Sequence, residues 1–186
     1  MMTPYKWLKL RTKKLFGWLH LWLGLISGII VFVSMLGAMV FVWEEELTDW
    51  YHADLIQIEQ VGEEILPPSQ LLAAARAAYP DKEFSSIQAR REPDKAYILT
   101  AFKSAEEKGW TWASGIAHYY AVCVDPYTAE VKGHIDKKAD WIIQARALHQ
   151  NLLLNGKVGT QIVGAAALIM IFLALSGVYL WWPKNM

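Results

Sequence analysis

Two long apolar runs, residues 15–43 and 158–182, constrain this chain more than any other feature. Each exceeds the roughly 20 apolar residues needed to cross a ~30 Å hydrocarbon core. The first is also longer than the apolar region of a cleavable signal peptide and continues past Gly37 and Ala38 without a clear cleavage pattern. It reads as an uncleaved anchor. The expected fold is a membrane α-helical protein with two transmembrane helices and an inserted small α+β domain, since the hundred or so intervening residues suffice for one modest core.

The formal net charge is zero, yet the charges are segregated. Lys6, Lys9, Arg11, Lys13 and Lys14 precede the first run with no acid among them, and Glu44, Glu45, Glu46 and Asp49 follow it directly. All 18 acidic residues fall within 44–157. Lys and Arg favour the cytoplasmic side, so both termini are expected inside and residues 44–157 outside. An acidic outer segment argues against nucleic acid as a partner. Trp18, Trp22, Trp43, Trp50, Trp181 and Trp182 fall near the span ends, where amphipathic rings favour the interface. The lone Cys123 forms no internal disulfide, so the outer domain depends on packing.

Within that domain, residues 55–58 read as a short strand. Pro67, Pro68 and Ser69 open a helix that runs through Ala78 and stops at Pro80. Residues 96–102 and 117–124 are rich in β-branched and aromatic types. Asp125-Pro126-Tyr127-Thr128 is a turn before a return strand at 130–135. His118 and His134 fall on these strands and read as ordinary sheet histidines, with no second ligand type at metal-site spacing. The chain then divides into a basic cytoplasmic segment (1–14), a span (15–43), the outer domain (44–140), an amphipathic helical lead-in (141–157), a second span (158–182) and a tail (183–186).

His20 is the first functional candidate, because an ionisable side chain inside a span normally faces protein and has a partner or a ligand. Its helical face carries Gly17, Gly24, Ser27 and Gly28, then Ser34, Gly37 and Ala38. Gly24, Ser27 and Gly28 make a small-residue packing face of GxxxG type. Alternatively, the missing volume houses a flat cofactor whose metal takes the imidazole. His149 sits in the lead-in, where positions 141, 145, 148 and 152 have helical spacing, and its face continues through Gly156, Thr160, Gly164, Ala167, Ala174 and Gly177. Facing helices of this kind suit a bundle-core cofactor, and histidine is a standard axial haem ligand. His52 is a weaker candidate. His20 and His149 fall toward opposite membrane faces, so each would need a partner histidine from elsewhere, which a two-fold dimer supplies at both levels. No HExxH, CxxC, P-loop or GxGxxG pattern is present.

Several segments together resemble a known family. Trp18-Leu19-His20-Leu21-Trp22-Leu23-Gly24 with its continuation to Trp43-Glu44-Glu45-Glu46 is similar to the opening helix of the bacterial PepSY-associated transmembrane proteins. Val124-Asp125-Pro126-Tyr127-Thr128-Ala129-Glu130 resembles the PepSY turn, with Ala129 in place of the usual glycine. Leu148-His149-Gln150-Asn151 through Tyr179-Leu180-Trp181-Trp182-Pro183 resembles the second helix of the family. The resemblance implies a bacterial inner-membrane protein with a periplasmic PepSY-like domain. It is a short two-span form similar to the first half of haem-containing siderophore-iron reductases. It further implies haem b with His20 and His149 as axial ligands, electron transfer to ferric iron or a ferric chelate as a reductase or reductase subunit, and a homodimer or membrane-subunit complex. The other expectation is a non-enzymatic scaffold whose PepSY-like domain binds another envelope or membrane protein.

Overall fold

The computed structural model describes residues 4–182, with side chains described from Thr12 onward. Two helices dominate it: α1 (Pro4–Phe41), whose apolar part is Thr12–Phe41, and α6 (Gly156–Trp181). Both carry large apolar side chains on their uncovered faces, among them Leu21, Phe32, Leu168 and Leu175 at 64–69% exposure. A surface of that kind is stable in lipid, not in water. The chain is membrane-embedded, with two apolar helices flanking a small antiparallel sheet domain.

α1 and α6 run side by side. Phe16 meets Phe172 and Tyr179 with ring centroids 6.3 and 5.4 Å apart, and a β-carbon on Gly24 would sit 3.8 Å from Leu173. The outer end of this pair gains a third member, α5 (Trp141–Asn151). Asp140 caps α5, its Oδ1 accepting the amides of Ile142 and Ile143 at 2.8 and 3.2 Å. Such a cap satisfies donors that the first helical turn leaves unpaired. The lead-in expected over 141–157 is interrupted: Leu152 and Leu153 take φ of 57° and 58°, and Asn155 then caps α6 through the Lys157 amide. Two successive left-handed residues cannot continue a right-handed helix.

Between the spans, α2 (Glu44–Tyr51) and α3 (Ala53–Ile56) lead into α4 (Pro68–Ala78) and a four-stranded antiparallel sheet. Its strands are β1 (Phe84–Gln88), β2 (Tyr97–Ser104), β3 (Ile116–Val124) and β4 (Val131–Asp136), in sequential order. Residues 55–58 do not form the expected strand. Leu55 and Ile56 amides bond His52 O and Gln57 N bonds Ala53 O, leaving only Gln57 bridged to Lys95. Ile56 and Ile58 are buried together, and the pairing is limited to that one bridge, with Ile58 N–H donating to Asp94 O and Ala96 N–H to Ile56 O at 2.8 Å each. Edge strand β1 is legible only in retrospect, since Ser85 and Ser86 dilute its pattern.

The sheet has two cores. On one face Leu71 and Ala75 of α4 pack on Leu99, Val122 and Val124. On the other, Ile56 and Ile58 meet Ala96, Ile98, Ala121, Cys123 and Ile135. At the β3–β4 turn Asp125 Oδ1 accepts the Tyr127 and Thr128 amides, and Ala129 adopts a φ of 59° where glycine would be unstrained.

Candidate functional site

The candidate site is built on α1, which carries His20 near one end of its apolar part and Ser34 fourteen residues further on. At 1.5 Å rise per residue these levels are about 21 Å apart. His20 faces α6: its Nδ1 lies 2.8 Å from Ser176 Oγ, and Gly177 leaves room for the ring, since a β-carbon there would come within 3.4 Å of His20 Cε1. His149 of α5 lies at the Ser34 level. Its Nδ1 is 3.2 Å from both Ser34 O and Ser34 Oγ, and its ring stacks on Phe41 at 5.8 Å.

These contacts fix which nitrogen of each ring is held. Ser176 Oγ lies 2.8 Å from His20 Nδ1 and 3.2 Å from Leu173 O, so it holds the His20 ring by that nitrogen. Ser34 Oγ donates to His149 O at 2.8 Å, and Ser34 O can only accept, so His149 Nδ1 donates to it. Neutral imidazole with the proton on Nδ1 keeps its lone pair on Nε2. No hydrogen bond engages either Nε2 among the described residues, and neither is sealed away from the surface as an orphan. Fixing Nδ1 to orient the other nitrogen is how proteins prepare a metal-binding histidine.

The two rings do not share a centre. With five histidines in the chain and the other three outside the helix pair, each level offers one imidazole. Among the described residues no group of three or more His, Cys, Asp or Glu is gathered for a metal. Each level therefore offers a single imidazole with its Nε2 unengaged among the described residues.

His52, the weaker candidate, is engaged elsewhere. Its Nε2 lies 2.5 Å from Asp140 Oδ2, so one carboxylate caps α5 and ties it to the α2–α3 junction. A collar of ion pairs extends this seam. Arg90 pairs with Asp49 and, at 3.1 Å, with Glu45; Lys95 pairs with Asp49 at 2.5 Å; and Arg146 pairs with Glu44 at 2.8 Å. These contacts hold the outer domain against the end of the helices.

The small-residue face divides by level. Gly24 meets α6, Ser27 is fully buried with its hydroxyl donating to Leu23 O, and Gly37 lies tight against α5. Gly28 is open, with nothing within 4 Å of an added β-carbon. The serines that hold the histidines were not identified from sequence. Ser34 was visible on the His20 face of α1, but Ser176 had no signal short of the helix pairing.

On the outer face of the sheet, Tyr79 Oη and His134 Nδ1 are 2.9 Å apart and Tyr120 packs on both His118 and His134. Burial, then Lys82 and Lys103, push His118 below the usual histidine range. Burial raises the Tyr79 hydroxyl. These features suit a packed sheet surface. Burial also pushes the Cys123 thiol up to about 11.

The family model described as PepSY-associated TM region matches residues 17–186. Among curated proteins none matches the chain.

Proposed function

The chain belongs to the PepSY-associated transmembrane family, and from that premise we propose that it is a membrane electron-transfer protein binding b-type haem through His20 and His149. The observation that carries the proposal is the shared arrangement of the rings: each imidazole has Nδ1 held by a serine and Nε2 unengaged among the described residues. Bound haem would supply a one-electron carrier for reducing ferric iron or a ferric chelate. The chain's own residues orient the rings, and the apolar helices keep water from them. A second copy or another membrane subunit supplies the missing imidazole at each level. By the charge split, the protein lies in the inner membrane with both termini cytoplasmic and the sheet domain periplasmic.

The test is the visible spectrum of detergent-purified protein, oxidised and dithionite-reduced, after haem-supplemented expression. A low-spin haem signal is expected. His20→Ala and His149→Ala should each remove about half of it, given levels about 21 Å apart. Protein that stays colourless would overturn the proposal.

A second reading has its own observation. The same serine contacts bridge helices 156 and 115 residues apart in sequence, so the histidines can act as interhelical polar clasps in a scaffold protein. Colourless wild-type protein that loses thermal stability on His20→Ala would favour it.

A further inference from the structure

The loop of residues 105–115 is tied to the start of α6. Asn155 N–H donates to Trp110 O at 2.7 Å, Asn155 Nδ2 donates to Gly109 O at 3.0 Å, and Trp112 N–H donates to Leu153 O at 2.8 Å. The height of the loop is therefore set by the first turn of a membrane span. At 26 residues α6 is about 39 Å long against a hydrocarbon core of ~30 Å, so its first turn lies in the headgroup layer. Trp110, on that loop, is 80% exposed. An exposed tryptophan alone is ordinary, but one fixed at the end of a span is placed as an interfacial anchor.

Beside it opens a cleft of about 500 Å³. Phe102, Trp112, Ile116 and Tyr119 form an apolar wall, and Lys108 and Lys157 are the charged residues at its edge. The lining includes no carboxylate. Both lysines are exposed, and neither has an ion pair among the described residues. This contrasts with the collar on the other side of the domain, where Lys95, Arg90 and Arg146 are all paired with acids.

We infer that this cleft holds an anionic phospholipid from the leaflet on the domain's side, its phosphate between Lys108 and Lys157 and an acyl chain along Phe102, Trp112 and Ile116. The unpaired positive charges meet the headgroup, and the apolar wall faces the acyl chain beside the first residues of α6, Gly156 and Lys157, which also line the cleft. The inference is independent of haem binding. Its chemical specificity is for net negative charge on the lipid, because a zwitterionic headgroup places its own ammonium near the lysines.

Full-length protein in nanodiscs containing brominated phosphatidylglycerol or brominated phosphatidylcholine tests it. Subtracting the fluorescence of Trp110→Phe isolates the Trp110 signal. Quenching of that signal is expected to be stronger with phosphatidylglycerol, and the difference should vanish in Lys108→Glu/Lys157→Glu. Native mass spectrometry should show retained phosphatidylglycerol falling roughly tenfold or more in the same variant, from about fivefold per lysine near a membrane surface. Both lysines are exposed, and an unchanged circular dichroism spectrum and melting temperature should confirm that the variant folds; Lys108→Gln/Lys157→Gln, with the same expected loss, serves if it does not. Equal quenching by the two lipids, or unaltered phosphatidylglycerol retention in the folded variant, would overturn the inference.

Discussion

Gly37 of α1 lies so close to α5 that a β-carbon on it would come within 2.7 Å of the His149 amide nitrogen and 2.3 Å of Ala145 O. The neighbours are backbone atoms, which cannot swing aside as a long side chain can. The position of His149 at the Ser34 level therefore depends on a residue with no side chain.

Gly37→Val should accordingly push α5 away and cost about 1–3 kcal/mol, the usual penalty of overpacking. Thermal melting in detergent measures it. Gly28→Leu provides the contrast, because that position is open and the chain's own fold should tolerate it. If Gly28 lies against a second copy, the variant should instead lose its oligomer on size-exclusion chromatography. An unchanged oligomer would place the interface elsewhere.

The serine partners separate the two proposed haem levels. Ser176→Ala removes the hydroxyl that holds His20 Nδ1, whereas Ser34→Ala leaves the backbone carbonyl of that position for His149. Loss of such a supporting bond typically weakens metal binding about 10–100-fold. Haem titration should show the larger loss in Ser176→Ala. Equal retention in both variants would mean that these bonds do not prepare a ligand.

Arg90 is the centre of the collar, with its side chain 6% exposed and both Asp49 and Glu45 as partners. Arg90→Met leaves Asp49 with Lys95 alone and Glu45, 70% exposed, to solvent, and should lower stability by about 1–3 kcal/mol, below the range for a fully buried pair. Proteolysis between α3 and α4 should become faster. Lys82→Met should cost almost nothing by comparison, since its partner Asp81 is 72% exposed.

Cys123 should resist thiol reagents in the native protein. With its pKa pushed up to about 11, only about a thousandth of it is thiolate at pH 8, and its side chain is buried. Iodoacetamide labelling at pH 8 should be slow until denaturant is added. Rapid native labelling would show that the sheet opens at this position.

Much of this molecule is local and therefore readable along the chain. Residues 15–43 and 158–182 are apolar enough to require lipid by composition alone. Pro67 to Pro80 delimit α4 because proline restricts the backbone at both ends. The β3 and β4 strands follow from β-branched and aromatic residues around the Asp125 turn. The small faces of both helices, and the separate levels of His20 and His149, follow from helical period and rise. Other features depend on residues distant in sequence. Residues 55–58 alternate like a strand, but Leu55 and Ile56 close a helix and only Gln57 bridges to Lys95, because burying Ile56 and Ile58 requires only that both reach the same core. His52 reads as a free imidazole until Asp140, 88 residues away, is brought to it. His20 meets Ser176 across 156 residues, and that contact holds its ring by Nδ1. Hydropathy and periodicity act residue by residue, so the sequence determined where the spans and the histidines lie. The nitrogen each histidine leaves free depends on hydrogen bonds between packed helices, and only the tertiary structure decides those.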